Sequence, residues 1–377
     1  MTVGAGTDSF GFRLVSVAGP ASVGELADAL RAALDGSGPA VLPLAASDPR
    51  RGELLARMAP ERTVEPGTAL IVATSGSTGA AKGVLLSASA LTASANATHA
   101  RLGGPGRWLL ALPAQHIAGV QVIVRALLAG AEPVVDADQL FRLPGPHYTA
   151  LVPTQLARMV DEPDTLRRFD AVLLGGAATP LPLLDRARDA GIRVVTTYGM
   201  SETAGGCVYD RRPLDGVGVR INEGLVELSG PTLASGYRLD PAATAAAFVD
   251  GWFRTSDLGT LHDDGTLEVH GRADFVINTG GVKVVPSAVE DVLTAQPGVA
   301  DACVVDLPDE EWGQLVAAAV VPADPAAPPR VDALRDAVRA ALGGPSVPKL
   351  VRFADALPLR GPGKVDRAGV RAALRDG

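Results

Sequence analysis

Between positions 69 and 200 the chain alternates short apolar runs with longer stretches whose apolar residues recur at helical spacing. The runs at 69–73, 108–112, 133–135, 150–152, 171–174 and 193–197 predict strands, and the stretches 85–100, 116–129, 154–160 and 183–190 predict helices between them. This alternation makes α/β layers around a largely parallel sheet. From 217 to 277 the pattern turns to β, with a strand at Leu225-Val226-Glu227-Leu228 and a hairpin turn at Asp263-Asp264-Gly265. A second unit begins near 274, with helices predicted over 287–295 and 331–342, strands over 302–306 and 315–321, and a Pro/Ala-rich loop at 322–329. With 377 residues, two domains are expected. The predicted fold is α/β: a large N-terminal α/β domain with a β subdomain over 1–273, and a small C-terminal α+β domain over 274–377.

Composition narrows the partners. The formal charge is −8 and no dense Lys/Arg run occurs, so a nucleic-acid groove is not expected, and any anionic substrate needs a local site. The apolar stretch 117–131 is broken by Gln121 and Arg125, too short and too polar to span a bilayer. The N-terminus lacks the build of a signal peptide. Cys207 and Cys303 lie far apart with no Cys/His cluster, which argues against a zinc site or a disulfide framework and for a cytoplasmic enzyme. Of 34 basic residues only four are lysines, and three of these sit in glycine-containing segments: Lys82 in GAAKG, Lys283 in TGGVK and Lys364 in RGPGK. An ammonium is a compact point charge where a guanidinium is a planar fork, so these lysines are candidates for chemistry.

The segment ATSGSTGAAKG, 73–83, follows the first predicted strand of this series. It departs from the P-loop pattern in two required places: the glycine before Lys82 is Ala81, and the hydroxyl after it is Gly83. Its glycines, its hydroxyls at Thr74, Ser75, Ser77 and Thr78, and Lys82 still suit a phosphate, with a helix expected to start near Val84 and offer its positive end. A Gly/Ser surface turn has the same composition. In YGMSET, Glu202 suits Mg²⁺ or is an exposed acid at a helix start. In FRTSDLG, Asp257 can accept from both ribose hydroxyls or cap a turn. GRADFVINTGG places Arg272 and Asp274 at the domain boundary, before a Gly280-Gly281 pair that reads as a hinge, a close approach to ligand or a β-turn. RGPGK presents Lys364 on a stiff loop.

These five segments, in this order over about 69–370, resemble the acyl-adenylate-forming enzymes: acyl-CoA synthetases, adenylation domains and luciferases. HIAGVQVIVRALLAGA, LVPTQLARMV, LLGGAATP and YGMSETAGGCVYD are similar to the o-succinylbenzoate–CoA ligases of menaquinone biosynthesis. The resemblance implies an acetyl-CoA synthetase-like fold with a mobile C-terminal domain, and two half-reactions: carboxylate plus ATP to acyl-AMP, then CoA to the thioester. ATP, Mg²⁺ and CoA are the implied cofactor and co-substrates, o-succinylbenzoate the implied acid, and a homodimer one possible assembly. By the same resemblance Thr74, Ser75, Gly76, Ser77, Thr78, Gly79 and Lys82 hold the β- and γ-phosphates. Gly175, Gly176, Ala177, Tyr198 and Gly199 border the adenine, Ser201 the α-phosphate, and Glu202 the metal. Asp257 and Arg272 take the ribose, and Lys364 bridges the reacting carboxylate and α-phosphate. Rotation about Asp274 would exchange Lys364 for the Gly281 loop at the pantetheine channel, with His116 at the acyl–CoA junction. Arg125, on an otherwise apolar helix, is the candidate for the acid's second carboxylate, or else snorkels to the surface. Only 73 residues precede the phosphate loop, fewer than the family usually has, which implies an altered acyl pocket or dimer surface. The alternatives are another aryl- or acyl-CoA ligase of this family and, further off, a P-loop ATP hydrolase or kinase.

Overall fold

The computed structural model describes residues 11–74, 81–359 and 363–376. Two sheets build the larger lobe. In the first, the strands Arg13–Val17, Val41–Ala45 and Thr68–Thr74 run parallel, and Lys82–Ser87 then Gly236–Tyr237 add antiparallel. In the second, Arg107–Leu109, His147–Leu151, Ala171–Leu174 and Val194–Met200 are parallel, and Gly205–Tyr209 turns back against the last of them. The helices Ala21–Asp35, Ala88–Leu102 and Ile117–Leu128 join the two sheets in one core, with Val72, Leu86, Leu91, Ile123, Trp108 and Tyr148 among its buried members.

Most predicted elements stand where the hydrophobic pattern put them. Ala171–Leu174 and Val331–Leu342 match residue for residue. Two expectations need correction. The helix predicted over 85–100 starts at Ala88, because Lys82–Ser87 is a strand paired with Thr68–Thr74. Val84, Leu85 and Leu86 are all buried, and an apolar run buried on both faces carries no period that separates strand from helix. The strand predicted at 133–135 reduces to a single bridge between Val134 and Leu109. The strand–helix–strand unit from Arg13 to Ala45 was not anticipated.

The β subdomain pairs Gly218–Asn222, Leu225–Ser229, Trp252–Leu261 and Leu267–Arg272 antiparallel, with the predicted hairpin turn at Asp264-Gly265. A 3-10 turn, Ala273–Phe275, leads into the smaller lobe. There a sheet of Val282–Val284, Ile277–Thr279, Gly313–Pro322, Val299–Asp309 and Leu350–Phe353 carries the helices Pro286–Thr294, Val331–Leu342 and Arg367–Asp376. The lobes touch at several points among the described residues, two of which lie near the candidate site's edge. Ser287 Oγ donates to the His270 carbonyl. Gly363, at φ +67°, lies so close to Val152 that a Cβ on it would stand 2.9 Å from that side chain's Cβ.

Candidate active site

The site forms where strands of the second sheet end, the usual seat of ligands in open α/β sheets. Ala171–Leu174 gives way to Gly175-Gly176-Ala177, and the adjacent Val194–Met200 carries Tyr198 and Gly199 into the turn Ser201–Thr203. Gly175 is dictated by the neighbouring strand, since a Cβ there would stand 2.2 Å from Thr197 Oγ1. The strand Trp252–Leu261 brings Asp257 beneath these residues, with Arg272 opposite it in register. Tyr198 Oη donates to Asp257 Oδ2 at 2.7 Å, and an Arg272 guanidinium nitrogen stands 3.9 Å from Oδ1. Arg272 also grips Asp274 through two hydrogen bonds of 2.9 and 2.7 Å, so ribose candidate and hinge candidate share one guanidinium. Burial pushes the Asp257 carboxyl pKa up, against the Tyr198 hydrogen bond and Arg272, which hold it down. The Tyr198 phenol is raised, first by burial and then by Asp257, so it stays a donor.

The smaller lobe delivers Lys364 to this cleft. Its ammonium acts electrostatically on both Asp257 and His116. His116 stands on the cleft rim at the start of Ile117–Leu128, its surface still open to solvent. Crowding by protein, then Lys364, pushes its imidazole pKa below the ordinary value; Asp48 opposes this and Arg50 adds to it. The Asp48–Arg50 segment thus faces His116, a neighbour that no motif around His116 announced. Gly280 and Gly281 form the turn between Ile277–Thr279 and Val282–Val284, with Gly280 packed on the Trp312 ring.

The phosphate-loop expectation divides. Ser75, Gly76, Ser77, Thr78 and Gly79 lie outside the described residues. Thr74 and Lys82 bracket them as the paired ends of two antiparallel strands, with Thr74 Oγ1 donating to the Lys82 carbonyl at 3.3 Å. Lys82 therefore does not precede a helix N-terminus, and the expected helix dipole is not available to a phosphate at this loop. Its Nζ instead lies 4.5 Å above the Tyr237 ring centroid, beside a cavity of about 360 Å³ bordered by Tyr237, Arg238 and Arg57. Tyr237 Oη donates to Glu202 Oε1 at 3.1 Å.

The surroundings of Glu202 bear on metal binding. Among the described residues it has no cationic partner, and its one side-chain hydrogen bond is with the neutral phenol of Tyr237. No group of three or more His, Cys, Asp or Glu side chains able to hold a metal occurs among the described residues. A single uncommitted carboxylate suits a hydrated Mg²⁺ that arrives on nucleotide phosphates better than it suits a protein-held ion.

Arg125 does not snorkel. It is 3% exposed, on the helix Ile117–Leu128, and no carboxylate pairs with it among the described residues. One guanidinium nitrogen donates to Tyr209 Oη at 3.3 Å, which also pairs with Thr98 Oγ1 at 2.9 Å, while Nε has no partner. The Trp108 ring lies 5.0 Å from Arg125 Cζ. Burial and this positive charge depress the nearby His99 imidazole pKa to about 4, so His99 stays neutral. Ile117, Gln121 and Arg125 recur every four residues on one helix face. That face runs along Gly205–Tyr209: Ile117 and Gln121 lie against Gly205, and Arg125 reaches Tyr209. Arg125 lies about 13 Å along the helix from His116 at 1.5 Å per residue.

Glycines at the sheet ends, the Tyr198–Asp257 pair beside them and a lysine brought from a second lobe are the arrangement that a nucleotide-dependent acid-activating enzyme would use. The chain matches the model of the AMP-binding enzyme family over residues 21–232 and that of the AMP-binding enzyme C-terminal domain over 288–364, and it belongs to this family. It is an AMP-forming acid–thiol ligase that uses ATP, Mg²⁺ and CoA. It is 46% identical over 363 residues to a probable 2-succinylbenzoate–CoA ligase of Mycobacterium tuberculosis, covering 92% of this chain and 94% of that one. A medium/long-chain-fatty-acid–CoA ligase of the same organism is 33% identical, covering 81% of this chain and 61% of the relative. The solved o-succinylbenzoate coenzyme A synthetase of Bacillus subtilis, in complex with ATP and magnesium ion, shares the fold with a TM-score of 0.80 at 24% identity, covering 97% of this chain and 89% of that one. This family membership removes the P-loop hydrolase or kinase reading. Among the described residues, no helix is long and apolar enough to cross a membrane.

Proposed function

We propose that the enzyme is an o-succinylbenzoate–CoA ligase, forming o-succinylbenzoyl-AMP and then the CoA thioester. The observation that carries this reading is Arg125. A guanidinium buried to 3% exposure without a carboxylate pays a desolvation cost that an incoming anion would offset. A fatty acid offers no second anion to it; o-succinylbenzoate does. The name of the Mycobacterium tuberculosis relative supports the same acid.

In this reading Tyr198 and Gly175–Ala177 flank the adenine, Asp257 and Arg272 hold the ribose, and Ser201 approaches the α-phosphate. Lys82 and the loop it closes hold the phosphates that leave as pyrophosphate. Glu202 would hold Mg²⁺, which would supply positive charge to the phosphates. Lys364 neutralises the negative charge that builds on the carboxylate and α-phosphate oxygens, and positioning with charge stabilisation carries the step. The lobe boundary lies at Asp274, and turning there withdraws Lys364 and presents Gly281 to the thiol. The test is an assay with ATP, CoA and a panel of acids, following AMP and thioester together. The highest kcat/KM is expected for o-succinylbenzoate; a higher value for a monocarboxylic acid would overturn the assignment.

A further inference from the structure

We infer that Tyr237 is a positioning residue that holds Glu202 and Lys82 in the geometry that receives magnesium–ATP. The inference rests on the reading that Glu202 serves the metal and Lys82 the phosphates. Tyr237 belongs to the two-residue strand Gly236–Tyr237, which pairs with Lys82–Ser87 and sets Tyr237 opposite Val84. The surrounding backbone stitches the two site segments together. Ala234 N–H donates to the Glu202 carbonyl at 2.8 Å, Ser235 N–H to that of Leu85 at 2.9 Å, and Arg238 N–H to that of Gly83 at 2.8 Å. Thr244 Oγ1 accepts from Tyr237 N–H at 2.9 Å, and Phe248 meets the ring edge-on at 5.8 Å. The ring is thus pinned on several sides, and the side chain is 7% exposed.

The chemistry of the two contacts suits ligands that both groups must later release to. A carboxylate fixed by a neutral hydroxyl keeps its full charge for a cation, whereas an arginine partner would have spent it. An ammonium held over a ring keeps its N–H donors for phosphate, whereas a carboxylate partner would have taken them. A phenol serves an anion at its tip and a cation on its face.

The test measures ATP binding by calorimetry across a Mg²⁺ series on the full-length protein, without any acid, so it does not depend on the identity of the acyl substrate. The variants are Tyr237→Phe, Tyr237→Leu and Glu202→Gln, each checked for an unchanged melting temperature. For Tyr237→Phe the Mg²⁺ concentration that half-saturates ATP binding is expected to rise about tenfold, with metal-free ATP binding unchanged. Tyr237→Leu is expected to weaken metal-free ATP binding as well, by about three- to fivefold, as Lys82 loses its ring. An unshifted Mg²⁺ curve for Tyr237→Phe beside a shifted one for Glu202→Gln sinks the role of Tyr237 alone. An unshifted curve for Glu202→Gln sinks the metal assignment and this inference with it. Equal losses of metal-free and metal-dependent binding in Tyr237→Phe would reveal a packing role and overturn the inference.

Discussion

Arg125→Met separates substrate recognition from stability at one position. The guanidinium is buried, and among the described residues its Nε has no partner and its single side-chain hydrogen bond is the 3.3 Å contact to Tyr209. Tyr209 keeps its 2.9 Å partner Thr98 when Arg125 is lost, so the substitution leaves no new orphan there. Methionine fills much of the stem's volume, and replacing a buried ion by an apolar side chain of similar size is often neutral or stabilising, by about 1–4 kcal/mol. The melting temperature of the free enzyme should therefore hold or rise. Catalysis should move the other way. Charge-assisted hydrogen bonds contribute about 1.5–3 kcal/mol. At about 1.4 kcal/mol per decade, losing them predicts a fall in kcat/KM for o-succinylbenzoate of about 10- to 150-fold. The ATP KM should stay put, since Arg125 lies along the helix away from the nucleotide seat. The control acid is 4-oxo-4-phenylbutanoate, which keeps the reacting carboxylate and lacks the one on the ring. Its kcat/KM should be unchanged or improved by the substitution. Equal losses on both acids, or a lower melting temperature accompanied by weaker ATP binding, would refute the reasoning and return Arg125 to the core as a structural group.

Lys364→Ala is expected to abolish acyl-AMP formation while largely sparing thioester formation from preformed acyl-AMP; single-turnover assays of each half-reaction decide it, and equal loss of both contradicts the assigned role. Asp257 gives a pH signature: its raised pKa means that ATP affinity, measured by calorimetry, falls on acidification from a higher pH than an ordinary aspartate would set. Tyr198→Phe removes the hydrogen bond that favours the charged carboxylate and should move that midpoint further up; a midpoint that stays or drops removes Asp257 from the ribose. Gly175→Ala forces a methyl to within 2.2 Å of Thr197 Oγ1, which predicts a loss of about 1–3 kcal/mol in chemical denaturation together with weaker ATP binding.

What was legible in the sequence, and what was not, follows a physical division. The strand ends that carry Gly175, Tyr198 and Glu202 declared themselves because short apolar runs before glycine-rich turns have few other readings. Lys82 and Lys364 stood out because lysine is scarce in an arginine-rich chain. The same scarcity marks the tyrosines, and that signal went unused: three of the four, Tyr198, Tyr209 and Tyr237, have hydroxyls bonded to site residues, namely Asp257, Arg125 and Glu202. Their partners are 59, 84 and 35 residues away. No local period encodes such a distance; it is set by which strands become neighbours. The mistaken helix start at 85 has the same origin. Whether the buried run Val84–Leu86 is strand or helix is decided by Thr68–Thr74 on one side and by Gly236–Tyr237 on the other. The second neighbour comes from about 150 residues downstream, and it is the one that carries Tyr237 to Lys82. The pairing that defeated the local reading of this segment is therefore the pairing that brings Lys82 and Glu202 to one phenol.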